Sequence, residues 1–238
     1  ELDTNAHFYE KSLKLWETLS QDLNYNVMFS QRGVLNLAHT DTAVDAALRR
    51  GNAMRLNGID AQWLNPKKIR QRVPLLNLEN KGFLPVLGGL LQPRGGTARH
   101  DAVAWGFARK ADSMGIDIIQ NCKVTDINIS SAKVVSVTTE LGKIKTRKVG
   151  IAVAGHSSEV ASMAGLRLPI ESHVLQAMVS EPIKPCLDTV VTSSAAHLYI
   201  SQSDKGELVF GGDLDFYNSY AQRGNFPRIE QVVASILF

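Results

Sequence analysis

The segment from Asp101 to Ala164 most constrains what this chain can fold into, because its hydrophobic period switches in a definite order. Val103, Phe107, Ala111 and Met114 recur at helical spacing, which predicts a helix with one buried face from near Asp101 to Gly115. Ile116–Ile119 reads as a short strand, and Val124–Ile129, Val134–Thr138 and Gly142–Thr146 as an antiparallel meander. Val149–Ala154 is almost wholly apolar, the pattern of a strand covered on both faces in a parallel sheet. It runs into Gly155-His156-Ser157-Ser158 and a further helix to Ala164.

That order of helix, strand, meander, apolar strand, glycine and helix is the order found in the later part of a dinucleotide-binding α/β domain. The remaining chain reads differently. His7–Leu19 is a helix packed on one face, and Tyr25–Phe29 and Gly33–Leu37 are two short strands around the turn Ser30-Gln31-Arg32-Gly33. Thr40 or Asp41 caps a helix from Thr42 to about Asn57, closed by Asn57-Gly58. Asn65-Pro66 opens a short helix that runs through Ile69 and that Pro74 ends. Gly82–Pro93 is expected to be a strand with tight turns around something bulky. From Pro169 the pattern alternates, with strands at His173–Val179, Leu198–Ile200 and Leu208–Phe210, and a helical pattern begins at Arg228. A second, mostly antiparallel domain follows, which the early strands near Tyr25 are expected to join. The chain then crosses between domains more than once.

With 238 residues, 44% of them hydrophobic, the chain can bury a sizeable core, so general disorder is excluded. The formal charge is 26 basic minus 23 acidic residues, or +3, and it is dispersed. The densest basic run, Lys143–Lys148, alternates with Ile144 and Thr146, so it reads as the solvated face of an edge strand or turn, not a nucleic-acid patch. Cys122 and Cys186 are far apart and no His sits at metal spacing, which argues against a disulfide framework or zinc site and for a reducing compartment. No apolar run reaches the roughly 18 residues that cross a bilayer. The start at Glu1-Leu2-Asp3, without Met, and the end on Leu237-Phe238 lead us to expect an internal piece of a longer protein.

A G-x-G-x-x-G fingerprint between a first strand and helix is absent; Gly88-Gly89 and Gly95-Gly96 lack its spacing, and Gly211-Gly212 suits a hairpin or bulge. His100 stands beside Arg99, after a glycine-rich loop and at a helix start. A helix N-terminus favours anions and disfavours an imidazolium, so a neutral nucleophilic imidazole or a contact to a phosphorylated cofactor fits there, as does a surface or capping histidine. His173 and His197 read as strand-end or hairpin residues, or as facing a cavity. Arg94 could grip a carboxylate substrate through its fork, or pair structurally. No catalytic set is assignable from the sequence.

Several strings are similar to those of the heterotetrameric sarcosine oxidase beta-subunit family, within the glycine or D-amino-acid oxidase class of flavoproteins. They include Tyr9-Glu10-Lys11-Ser12-Leu13-Lys14-Leu15-Trp16-Glu17, Phe29–Thr40 and Gln92-Pro93-Arg94-Gly95-Gly96 with His100-Asp101 after it. Val103–Asp112, Ile118–Cys122, Ala154–Ser158, Leu175–Glu181 and Lys205–Val209 continue the likeness over nearly the whole chain. The resemblance implies an α/β fold: part of a three-layer FAD/NAD(P)-binding domain interleaved with a mostly antiparallel α+β substrate domain. Residues 1–94 and 169–238 would belong to the substrate domain and 95–168 to the FAD-binding domain.

The activity implied is oxidation of the N-methyl amine of sarcosine, with hydride transfer to FAD and electrons passing to FMN and oxygen. The resemblance also implies alpha, gamma and delta partner subunits, with NAD and tetrahydrofolate on the alpha subunit, and a cytoplasmic location. His100 matches the histidine that bonds covalently to FMN, with Arg99 beside it. Val124 matches the strand position lining the adenine side of FAD, and Ala154 and Gly155 the close backbone approach to it. A glycine there would let the chain turn from a buried strand into a helix beside a bulky ligand. The family's first strand, glycine-rich turn and first helix, and its C-terminal portion, have no counterpart in these residues. The sequence leaves open a related dimethylglycine, glycine or D-amino-acid oxidase, and a non-catalytic FMN-carrying assembly subunit.

Overall fold

A computed structural model of the chain describes residues 3–79, 84–218 and 224–237, with the backbone alone for 213 and 215–218. It divides into two compact units: residues 1–116, 175–213 and 225–238 form one, and 117–174 with 214–224 the other.

The larger unit opens with helix α1 (Asp3–Asp22), followed by strand β1 (Val34–Ala38) and helix α2 (Asp41–Leu56). Thr40 Oγ1 accepts from the Ala43 N–H at 3.2 Å, satisfying one of the amides that a helix start leaves unpaired, and Gly58 beyond the far end takes a positive φ of 75°. Strand β2 (Gln62–Leu64) leads to α3 (Pro66–Arg72), which Asn65 caps by accepting from Lys68 N–H at 3.0 Å while Pro66 fills the first turn. Strand β3 (Gly88–Gln92) returns antiparallel to both β1 and β2. The bulky group foreseen inside the 82–93 stretch is Trp63, whose ring would lie 2.1 Å from a methyl added at Gly88; residues 82 and 83 lie outside the described residues.

Burial on both faces of β3 explains its apolar run. Leu91 joins Leu35, Leu64, Ile69, Val73 and Val191 in one core cluster, whereas Leu90 packs with Ala6, Met54, Ile59 and Ala61 in another. Successive side chains of a strand point to opposite faces, so adjacent leucines serve two cores. Complete burial of Leu35 and Ile69 contributes about 1.5–3 kcal/mol each.

The later chain adds β7 (His173–Pro182), β8 (Val190–Ser193), β9 (Leu198–Gln202), β10 (Glu207–Asn218) and the terminal helix α6 (Phe226–Leu237). The sheet order is β2-β3-β1-β8-β9-β10-β7, with β1 and β8 parallel at its middle. The early strand therefore does join the later ones, as expected. The turn between β8 and β9 carries His197 at φ 48°, a hairpin position, and Gly212 faces the His197 carbonyl. The predicted strand at Tyr25–Phe29 is not one: the segment bends at Tyr25 and turns through a left-handed Met28 (φ 53°), and only Ser30 forms a bridge, to Thr97.

Helix α4 (His100–Ser113) is closed by Gly115 at a positive φ of 81°, two residues beyond its end, where the spacing predicts the stop, but the buried face differs. Ala102 and Gly106 are buried, whereas Phe107 is 53% and Met114 69% exposed. Gly106 decides this, since its bare backbone lets Leu23, Tyr25 and Val27 approach closely, and Arg109 stacks 5.7 Å over the Tyr25 ring.

In the smaller unit β4 (Val124–Ser130), β5 (Lys133–Thr139) and β6 (Gly142–Lys145) form the expected antiparallel meander. All of β6 is exposed, consistent with a solvated basic edge. Helix α5 (Ser157–Met163) follows a 3₁₀ turn at Ala154–His156 and packs beside β4. Ile116–Ile119 and Val149–Ala154, predicted as strands, are not strands. A strand exists only where its N–H and C=O groups find a ladder. Among the described residues no other segment offers one, so Ile116, Ile118, Ile119, Val149, Ile151 and Val153 stay exposed.

Candidate functional site

The loop between β3 and α4 is held from several sides before it reaches His100. A methyl at Gly96 would sit 1.9 Å from the Ser30 carbonyl oxygen, so the two chains can cross only because residue 96 has no side chain. Ser30 N–H donates to Thr97 O at 2.8 Å and Thr97 N–H to Ser30 O at 3.0 Å. Arg94 is engaged by α1: its Nη1 donates to Glu10 at 2.6 Å, and its Nη2 and Nε to Glu17 at 2.8 and 2.9 Å. Gln31 Nε2 donates both to Glu17 and to the Arg94 carbonyl, at 2.9 Å each. Hydrogen bonds from Gln31 and then Arg94 hold the Glu17 carboxyl below its ordinary range, and Glu10 followed by Glu17 raises the Arg94 guanidinium. The structural reading of Arg94 is the correct one. Glu10 and Glu17 lie two helical turns apart on one face of α1, so both reach the same guanidinium.

His100 occupies the first turn of α4 with its side chain exposed. Arg99, the cap residue, makes no side-chain cap bond and instead grips the Asp101 carboxylate through Nε at 3.0 Å and through Nη2. Asp101 also accepts from Ala102 N–H at 2.8 Å. Arg99 first, then that amide, lowers the Asp101 carboxyl to about 2, and Asp101 in turn raises Arg99. A phosphate approaching Arg99 would therefore compete with Asp101.

The other sequence-selected residues lie in the smaller unit. Val124 opens β4 opposite Thr139, beside a bulge, and is half-buried. Ala154 adopts a left-handed φ of 45° at the start of the 3₁₀ turn, and Gly155 follows it. A methyl at Gly155 would meet only Ser172 Oγ, at 3.5 Å, which is ordinary contact. Among the described residues no neighbouring atom requires glycine here. Ser172 Oγ donates to the Gly155 carbonyl at 2.5 Å and fixes the turn. Arg99 and His100 thus lie in one unit, and Val124, Ala154 and Gly155 in the other.

Sequence reasoning missed His39. Its ring is buried at the end of β1, with Nδ1 3.1 Å from Pro85 O and Nε2 2.8 Å from Ser193 Oγ. The carbonyl requires Nδ1 to carry the proton, so Nε2 accepts from the Ser193 hydroxyl, which itself accepts from Ala196 N–H at 3.1 Å. Every polar atom is satisfied, and the group clasps three segments. His173 is exposed at a strand end, and His156 Nδ1 lies 3.1 Å from Glu159. Among the described residues no cluster of three His, Cys, Asp or Glu could hold a metal, and no helix is long and apolar enough to cross a membrane.

The fold is that of a flavoenzyme class, and residues 2–237 match the family described as FAD dependent oxidoreductase; the chain belongs to that family. It is 62% identical, over 97% of its length, to the sarcosine oxidase subunit beta of Rhizobium meliloti (strain 1021), covering 55% of that protein. It is 52% identical, over 98% of its length, to the sarcosine oxidase subunit beta of an Arthrobacter species, covering 58%. The chain thus spans little more than half the length of these relatives. The crystal structure of L-proline dehydrogenase from P. horikoshii superposes with a TM-score of 0.85 at 24% identity, covering 95% of this chain and 60% of that one, which establishes the shared fold.

Proposed function

We propose that this chain is part of a flavin-dependent amine oxidase subunit whose substrate is the secondary N-methyl amine sarcosine. The observation that carries the proposal is the 62% identity to a sarcosine oxidase beta subunit over 97% of the chain. In this reading residues 95–168 contribute the FAD-binding part and residues 1–94 and 169–238 the substrate part, with alpha, gamma and delta subunits as partners and NAD and tetrahydrofolate on alpha. The setting is cytoplasmic.

FAD, when bound, supplies the acceptor for the hydride of the amine, and FMN the onward path for electrons to oxygen. The residues present fit both groups. Ala154 and Gly155 lie in a backbone turn where a glycine unobstructed by the described residues allows close approach of a ligand, and Val124 opens β4 in the same unit. His100 exposes its imidazole at the start of a 14-residue helix, whose N-terminal amides favour an anionic group nearby. The chain's own work at that point is positional. Gly96, Arg94 and Gln31 fix the loop so that His100 is presented in one place, and Asp101 orients Arg99.

Co-expression of the chain with an alpha subunit, followed by peptide mass spectrometry, tests the assignment. The expected result is an FMN mass increment on the peptide containing His100, absent in His100→Ala. An unmodified His100 peptide in a folded, assembled complex would sink the covalent-flavin assignment.

A further inference from the structure

Ser30 is the pivot of the loop that presents His100. Its two backbone bonds to Thr97, and the close pass of Gly96 over its carbonyl, carry residues 96 and 97 wherever Ser30 goes. The residues just before Ser30 have no strand ladder to hold them, and Met28 among them is left-handed. The place of Ser30 therefore depends on side chains.

Arg32 supplies the tie. Its Nε donates to Ser30 Oγ at 2.9 Å, its Nη1 to the Gln202 carbonyl at 3.2 Å, and its Nη2 pairs with the Asp204 carboxylate. One guanidinium thus joins the pivot to the turn between β9 and β10, all within the larger unit. The Arg32 carbonyl in turn accepts from Arg72 Nη2 at 2.8 Å, and Arg72 Nε donates to the buried Thr189 hydroxyl at 2.9 Å. The far end of the tie is firm as well. Gln202 is buried, with Oε1 accepting from the Cys186 and Leu187 amides at 2.7 and 3.0 Å, and Nε2 donating to the Lys184 and Gly206 carbonyls at 3.1 and 3.0 Å. A planar fork with three acceptors in fixed places holds one geometry, which a lysine ammonium cannot reproduce. The same turn is felt next to His100, where Asp101 first and the Glu207 charge after it raise Arg99.

We propose that Arg32 is a positioning residue for His100: by tying Ser30 to the β9–β10 turn it fixes the crossing of residues 30–31 with 96–97, and so the place where α4 presents its first imidazole. The consequence for flavin attachment rests on the reading of His100 as the FMN-bearing residue, whereas the fixing of the crossing does not.

The complex co-expressed with an alpha subunit tests both parts, comparing Arg32→Gln with the unaltered protein and with Thr40→Ala, whose lost cap bond lies outside this network. Hydrogen exchange should show the Ser30 and Thr97 amides of Arg32→Gln opening about tenfold faster, with Leu35 and Leu37 unchanged. The FMN mass increment on the His100 peptide should accumulate about tenfold more slowly. Thr40→Ala should alter neither reading. Arg32→Lys, which keeps the charge and loses the fork, should show the same two changes to a smaller extent, and it decides the matter if Arg32→Gln fails to fold. Unchanged exchange at Ser30 and Thr97, or faster exchange with flavin attached at the unaltered rate, would overturn the role of Arg32. Equal slowing in Thr40→Ala would do the same, since attachment would then follow general stability. A His100 peptide left unmodified in the unaltered complex would instead sink the FMN reading, and the exchange at Thr97 would still decide whether Arg32 fixes the crossing.

Discussion

Gly96 and Asp101 show how single residues set the geometry on either side of His100. Gly96 lies against backbone, and a carbonyl 1.9 Å from an added methyl cannot rotate away as a side chain would. Gly96→Ala should therefore destabilise the chain by about 1–3 kcal/mol through forced separation of the 29–31 and 95–97 segments. A lowered denaturant midpoint with unchanged slope in a urea titration would show it. Asp101 carries a pH signature. Its folded value, about 2, lies below the ordinary 3.8, so its contribution is fully present above 3.8 and is lost as pH falls through about 2. Asp101→Asn should flatten the acid limb of the stability curve between those values, and unchanged curvature there would contradict the pairing with Arg99. The rest of His100's surroundings was less legible in the sequence. Arg94, whose type alone favoured structural pairing or solvent exposure over a substrate clamp without naming a partner, is claimed by Glu10 and Glu17 from a helix some eighty positions away.

At the scale of elements, the parts set by nearest neighbours in the chain were readable and those set by distant partners were not. Helix α2 begins where Thr40 offers an acceptor to Ala43 and stops where Asn57-Gly58 permits a left-handed turn, all within four residues of the ends. Thr40→Ala should cost about 1 kcal/mol, measurable by thermal denaturation, because it removes that one cap bond. The meander β4-β5-β6 was equally legible, since its strands pair with sequence neighbours across short turns. By contrast β2 and β8 were not foreseen. Gln62–Leu64 is only three residues long, and Val190–Ser193 becomes a strand because β1 offers a parallel edge more than 150 residues earlier.

At the scale of the whole molecule, the two units differ in how much of their apolar surface they bury. The larger holds two core clusters around β3, whereas the smaller exposes the runs at 117–119 and 149–153. Local stability follows buried contacts and ladder hydrogen bonds. Hydrogen exchange should find amides of Ile118 and Ile151 nearly unprotected, and those of Leu35 and Leu37, in a strand paired on both sides, at least about a thousandfold slower. Comparable rates would mean that the exposed runs are held by contacts absent from this arrangement.

By itself the sequence determined the helices, their caps, the meander, the mixed α/β class and, through its similarity to flavoprotein oxidases, the family. These depend on spacing and on residues a few positions apart. Only the tertiary structure decided that α4 buries Ala102 and Gly106 instead of Phe107, that Glu10 and Glu17 claim Arg94, and that Val149–Ala154 forms no strand. Each of those outcomes turns on which group from elsewhere in the chain comes within bonding distance, and an apolar run or an arginine carries no record of its distant partner.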